Sequence, residues 1–426
     1  MKKALTLSVM LIVLLSLTFN VMAQEKIDLR VSWWGSEVRN NATLDAIELY
    51  ERLNPHINII PEYQGFEGYR TKLLAQAAAG DAPDVYTTIV EWYPDLVDAD
   101  AMADITGMVD VSGHNHKYVE ACSVDGKMYG VNLSVQALIM IQNATLLEEL
   151  GIEPLEAPYS YEDMANKYVE IYEKSDGTVY GSVDVTTDSV DGSGMHFLTY
   201  YGYSKLSYDT PFPYDNEQFT FTKEDINDYF QYYAELRENN GVAPVDLSSV
   251  NDHAANSLLV NRMTVYEIMN AGTFEKYQGQ MEDNLDMIPL PLGPDGKSGE
   301  IARPGLAFTV AKNTEHKEEA AKFIDWFTNS PEAAVVLGNC RGTLPTTVQR
   351  EALIASGKLS AIDVKVNEVV NFVLNNREMK VAYSGPQGTP ELQHILPEIG
   401  QMLAYDRITL DEAVEMFVEE AWNLDN

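Results

Sequence analysis

Leu29-Arg30-Val31-Ser32-Trp33-Trp34-Gly35-Ser36-Glu37-Val38-Arg39-Asn40-Asn41 carries an apolar strand into the start of a helix. Ile27 to Trp33 reads as the strand, and Ala46, Ile47, Tyr50 and Leu53 then recur on one helical face until Asn54-Pro55 stops it. The alternation continues outward. Ile57 to Ile60 is a second strand, Tyr69 to Ala79 a second helix ended by Gly80, and Asp84 to Ile89 a third strand after Pro83. This order predicts an α/β domain with a parallel sheet and right-handed crossovers. Such sheets take ligands beyond the carboxyl ends of their strands, where helix N-termini also present unpaired N–H groups. The first strand ends there in two adjacent Trp, which point to opposite faces. A core accounts for one of Trp33 and Trp34; the other is a candidate for contact with a ligand. Glu91-Trp92-Tyr93 follows the third strand in the same way, with Trp92 the ligand candidate and Tyr93 read as packing under the next helix. Aromatic faces at two strand ends suit the C–H faces of sugar rings, and Glu, Arg, Asn and Gln around them match ring hydroxyls.

Further along, Val131 to Ile141 reads as one extended strand and Ala144 to Leu150 as a helix ended by Gly151. Ser160 with Asp163 caps a helix whose apolar stripe is Tyr161, Met164, Ala165, Tyr168 and Tyr172. Residues 203–221, rich in Tyr, Phe and Pro, read as an ordered loop. Arg303-Pro304-Gly305 leads into a strand from Leu306 to Ala311. A helix follows with Ala320, Phe323, Ile324 and Phe327 on one face, then another opened by Ser330-Pro331. The C-terminal end is helical, with Thr409 and Glu412 as a capping box. No low-complexity linker separates the domains, so more than one crossing between them is expected.

The chain has 426 residues, with 65 acidic against 29 basic side chains and a net charge of −36. That excess excludes a nucleic-acid surface, which needs clustered Lys and Arg. With 45% hydrophobic and 22% charged residues the chain is a folded protein of two or three domains. Lys2-Lys3, an apolar run from Ala4 to Phe19, and Val21-Met22-Ala23 form the three parts of a secretory leader cleaved after Ala23. Its apolar run is too short for a membrane anchor, and no Cys at the cleavage point would take a lipid, so a periplasmic or secreted protein is expected. Cys122 and Cys340 are compatible with a disulfide or with two buried thiols.

Several apparent motifs fail. Gly296-Lys297-Ser298 lacks the glycine of a phosphate loop, since Pro291 stands in its place. His114-Asn115-His116 has no carboxylate or thiol at ligand spacing, and the acids at 188, 191, 209 and 215 do not follow a calcium-loop pattern. Gly192-Ser193-Gly194 lacks the spacing of a nucleophile elbow. No metal, no cofactor and no catalytic residue is therefore expected. A pair of carboxylates for glycoside hydrolysis stays open among 65 acids.

The chain resembles the extracellular solute-binding proteins of bacterial ABC importers, in the large oligosaccharide-binding class to which maltose-binding protein belongs. The resemblance rests on Leu29 to Ser36, Ile47 to Pro55, Tyr69 to Gln76, Gly80-Asp-Ala-Pro-Asp-Val-Tyr86, Gly126 to Asn132 and Lys322 to Glu332. It implies a two-lobed α/β fold, each lobe a mostly parallel sheet flanked by helices, joined by a multi-strand hinge that closes over a sugar. The implied lobes are 24–141 with 303–346, and 142–302 with 347–426. By position, Trp33, Ser36, Glu37, Arg39, Phe66, Trp92, Asn132 and Gln136 line the cleft from the first lobe, with Trp34 beside them. Tyr266, Asn270, Arg303 and Arg341 do so from the second lobe and the crossovers. The resemblance further implies a monomer that delivers an oligosaccharide to permease subunits without catalysis. Two alternatives remain: a secreted glycoside hydrolase or lyase, and a receptor of the same fold for a polyamine or other non-sugar solute. Arg39, Arg303 and Arg341 leave an acidic sugar open beside a neutral one.

Overall fold

The computed structural model describes residues 26–188, 222–252, 256–293, 296–298, 300–302, 305–381 and 389–424. The leader, the aromatic-rich segment 203–221 and Arg303 lie outside them. β1 (Ile27–Trp34), α1 (Glu37–Leu53), β2 (Ile57–Gln64), α2 (Tyr69–Ala78) and β3 (Val85–Thr88) alternate at the start. β4 (Gly130–Asn132), β5 (Leu138–Asn143), α3 (Tyr161–Lys174), α4 (Lys223–Glu238), β6 (Tyr266–Asn270) and β7 (Leu285–Ile288) follow. The last part holds β8 (Ala307–Val310), α5 (Lys317–Asn329), α6 (Pro331–Leu337), α7 (Ala361–Asn376), α8 (Thr389–Ala404) and α9 (Leu410–Leu424).

Local chemistry sets the helix starts. Ser36 accepts the Arg39 N–H at the head of α1, Ser160 with Asp163 and Thr222 with Asp225 form capping boxes on α3 and α4, and Pro331 occupies the first position of α6. In α1 the buried face is Thr43, Ala46, Ile47 and Tyr50, whereas Leu53 at the helix end is 56% exposed. β2 continues through Pro61, which an edge strand tolerates because its outer N–H has no ladder partner.

The first sheet has the order β2-β1-β3-β8-β4. β1 is parallel to β2 and β3, while β8 is antiparallel to β3 and β4. Its core joins Leu29, Val31 and Trp33 of β1 with Ala46 and Tyr50 of α1 and with Phe308, Phe323, Ile324 and Phe327 from the returning chain. The second sheet, β6-β5-β7, is antiparallel throughout. A mostly parallel sheet therefore describes the first lobe and not these strands of the second. The reason is connectivity: β5 and β8 each begin where the chain crosses between lobes, so each runs away from the crossing, against its neighbours. The face of β5 that carries Met140 packs under α3, α4, α8 and α9. Ile139 and Ile141, on its other face, pack against Val366, Val370 and Val373 of α7.

The stretch 131–141 is not one strand. It breaks between β4 and β5, and residues 133–137 pass between the sheets. Leu133 N–H donates to Leu306 O at 2.8 Å, and Val135 N–H to Thr343 O at 2.8 Å, so three passes of the chain lie side by side.

α8 docks closely against the turn near Thr186. A Cβ on Gly400 would lie 1.8 Å from the Thr186 carbonyl oxygen, and Gln401 Nε2 donates to Thr187 O at 3.0 Å. Gly400→Ala improves helix propensity by about 1 kcal/mol. The backbone collision outweighs this, and a net loss of roughly 1–3 kcal/mol in urea unfolding is expected. An unchanged midpoint would mean that α8 has room to shift.

Candidate functional site: an aromatic cluster at the strand ends

Consecutive residues of β1 face opposite sides, and both sides are covered. Trp33 turns toward α1: it has no exposed surface, its Nε1 donates to Asn40 Oδ1 at 2.9 Å, and its ring stacks on Tyr63 at 5.0 Å. Trp33, expected in the cleft, is thus a core residue, because the face it occupies is already filled by α1 and capped by Tyr63.

Trp34 turns toward α2. Its ring lies 5.5 Å from Phe66, 5.3 Å from Trp92 and 4.9 Å from Tyr69, and Phe66 lies 6.2 Å from Trp92. Phe66 follows β2, Trp34 ends β1 and Trp92 follows β3, so the three neighbouring strands β2-β1-β3 each supply one ring. Phe66 is 60% exposed, whereas Trp34 and Trp92 are buried beneath it. The sequence reading missed Tyr69, which supports Trp34 from below, and Arg70, whose guanidinium lies 6.0 Å from the Trp92 ring. Phe66 and Tyr69 flank Gly68, the N-cap of α2, and the Tyr69 N–H donates to Phe66 O, which keeps both near the same strand end.

Ser36 and Glu37 are exposed at the head of α1. Arg39 folds back over Gly35; its Nε donates to Cys340 O at 3.3 Å and its Nη1 to Trp34 O at 3.4 Å. Arg341 is buried, resting 5.4 Å over the Phe327 ring and donating to Thr43 Oγ1 and to Cys340 Sγ. Burial pushes its guanidinium down to about 10. Both cysteines are free thiols.

Asn132 is buried at the end of β4, its Oδ1 3.1 Å from His114 Nδ1 and its Nδ2 donating to Ser134 O. Gln136 in the first crossing and Asn270 at the end of β6 come together, with Asn270 Nδ2 donating to Gln136 Oε1 at 2.6 Å. Tyr266, expected in the cleft, instead lies in the second core with no exposed surface. Its ring is 5.6 Å from Tyr168, and its hydroxyl accepts the Leu155 N–H. It is the first residue of β6, four before Asn270, and so lies at the amino end of the strand and not at the carboxyl end that carries Asn270. Among the described residues no group of three or more His, Cys, Asp or Glu side chains could hold a metal, and no helix is long and apolar enough to cross a membrane.

Residues 34–334 match the bacterial extracellular solute-binding protein family, and the chain belongs to that family. It is 23% identical over 260 residues to the arabinooligosaccharide-binding protein of Bacillus subtilis, an alignment that covers 57% of this chain and 55% of that protein. The chain thus spans about half the length of that relative. In fold it is similar to a family 1 extracellular solute-binding protein from Alicyclobacillus acidocaldarius, with a TM-score of 0.83 at 22% identity over 94% of this chain and 99% of that one. A periplasmic oligogalacturonide-binding protein from Yersinia enterocolitica gives a TM-score of 0.76 at 22% identity, covering 94% and 99%. The two-lobed α/β architecture is that of these solved structures.

Proposed function

We propose that the chain is an extracytoplasmic receptor for an oligosaccharide, which it traps between its lobes without chemical change and presents to the permease subunits of an ABC importer. The observation that carries this reading is the triangle of Trp34, Phe66 and Trp92 at three adjacent strand ends. The exposed Phe66 ring, backed by the buried Trp34 and Trp92 and flanked by hydrogen-bonding groups, is an apolar platform of the kind a pyranose face packs against. Ser36, Glu37, Arg39, Gln136 and Asn270 are the polar groups assigned to the same cleft, with Asn132 in its wall. The lobes in this reading are 24–141 with 303–346 and 142–302 with 347–426; the leader is removed after Ala23 and the receptor is a monomer. The names of the two sugar-binding relatives support a carbohydrate as the solute class.

A thermal-shift screen of the exported protein against oligosaccharides and polyamines tests the proposal. A ligand at 100 times its dissociation constant adds about 2.7 kcal/mol of stability, which moves the melting curve visibly. Stabilisation by a sugar recovered intact is expected. A sugar recovered cleaved, or stabilisation by polyamines alone, would overturn the reading. Phe66→Ala is the cleanest variant because Phe66 is 60% exposed. It is expected to weaken sugar binding by about 1–3 kcal/mol in calorimetry while leaving the melting temperature nearly unchanged. Normal binding by Phe66→Ala would move the sugar away from the triangle.

A further inference from the structure

A chain with 65 acidic and 29 basic residues has carboxylates to spare for its cations. Arg30 pairs with Glu62 and Asp81, Arg52 with Glu48, Arg237 with Asp184, and Arg262 with Glu149 and Asp283. Arg350, which is buried, spends its donors on Asn371 Oδ1, Leu344 O and Thr347 Oγ1. Arg39 and Arg341 differ from the ion-paired arginines, and from Arg350 in lying side by side. They meet at Cys340, Arg39 on its carbonyl and Arg341 on its sulfur, and neither has a carboxylate partner among the described residues. Glu37 stands two residues before Arg39 on α1, a spacing that points the two side chains apart. Burial lowers both guanidiniums, and Arg39 adds like-charge repulsion to Arg341. Two adjacent, partly desolvated cations without a counter-charge are expensive unless an anion arrives from outside.

Arg39 lies beside the aromatic triangle, and Arg341 lies behind it on the α1 side, bonded to Thr43. Arg39 donates to the carbonyl of Trp34, and its Nη2 has no partner among the described residues. A Cβ at Gly35 would come within 2.6 Å of the Arg39 chain, so the glycine is what allows the guanidinium to lie against the strand end. The N-terminus of α1 adds its positive end to the same place.

We propose that Arg39, with Arg341 behind it, is the anion subsite of the cleft, and that the sugar recognised there carries a carboxylate, as in an oligosaccharide of uronates. This rests on the receptor reading above and narrows its ligand. The Nη2 end of Arg39, with the second hydrogen of Nη1, offers donors for a carboxylate, and the neighbouring rings select a charge borne on a sugar over a free inorganic anion. Arg341 does not touch the ligand; it contributes its charge.

The test is calorimetry of the purified protein with oligomers of galacturonate, glucuronate and mannuronate, each paired with its neutral hexose counterpart. One uronate series is expected to bind at least about tenfold more tightly than its counterpart, and to weaken severalfold between low and high salt as surface screening grows. Arg39→Gln is expected to abolish that preference and Arg39→Lys to reduce it, since a point charge replaces the planar guanidinium. Neutral oligomers binding as well as the uronates would overturn the inference and leave the receptor reading standing. Equal losses for charged and neutral sugars in Arg39→Gln would also overturn it, placing an acid of the closing lobe opposite Arg39. No binding by either series would overturn the inference and leave the receptor reading to the wider oligosaccharide screen.

Discussion

Trp33→Ala is expected to lower the unfolding free energy by about 3–5 kcal/mol, the range for truncating a large buried aromatic. Its indole has no exposed surface, its Nε1 is bonded to Asn40, and Tyr63 covers its outer face. Alanine would remove both contacts, leave the Asn40 side-chain oxygen without this donor and open a cavity between the sheet and α1 that neither rigid element can close. A fall in melting temperature on the order of 10 °C is the corresponding scan result. Sugar affinity of the fraction that stays folded should change far less than in Phe66→Ala. A Trp33→Ala protein of normal stability with lost binding would reverse the assignment of the two tryptophans.

The second large effect is on pH dependence. Glu300 is 1% exposed and its Oε1 has no hydrogen-bond partner. Burial raises its carboxyl to about 8, against the opposing pull of the Arg377 guanidinium. The folded state therefore holds a proton that the unfolded chain has lost above its ordinary value of 4.5. This stabilisation is full below that value and disappears as pH rises through about 8. Its full size is roughly 5 kcal/mol, at about 1.4 kcal/mol per pH unit between the two values. Glu300→Gln keeps the shape and stays neutral, so it should gain on the wild type by about 3 kcal/mol between pH 5 and pH 8 in urea titrations. Taking the difference between the two proteins cancels the titration of the many surface acids. A difference flat across that range would show an ionised Glu300 paired with Arg377.

The strand-helix alternation of residues 27–88 and the helix starts at Ser160, Ser330 and Thr409 were legible because they rest on local chemistry. What failed was non-local. Alternation along β1 separates Trp33 from Trp34, but helices cover both faces of a sheet of this kind, so the pattern cannot say which face opens to solvent. Tyr266 was misplaced for a related reason: an aromatic in a short strand reads the same whether it opens the strand or closes it. Strand direction in the second sheet depends on where the chain crosses, which a run of four or five residues does not encode. The contacts of Gln136 with Asn270 and of Arg39 with Cys340 span 134 and 301 positions, beyond any spacing rule.

The passes between lobes feed interior strands. β5 lies in the middle of its sheet, between β6 and β7, and β8 lies inside its own, between β3 and β4. A torque applied to one half therefore enters the other along its stiffest line, with hydrogen bonds on both sides to spread the load, instead of peeling a loose margin. In the receptor reading, bending would fall to the few residues at 133–137 and their neighbours, with each sheet turning as an undeformed plate. The spacing of the aromatic triangle would then be unchanged by the rotation that brings the opposite wall to it.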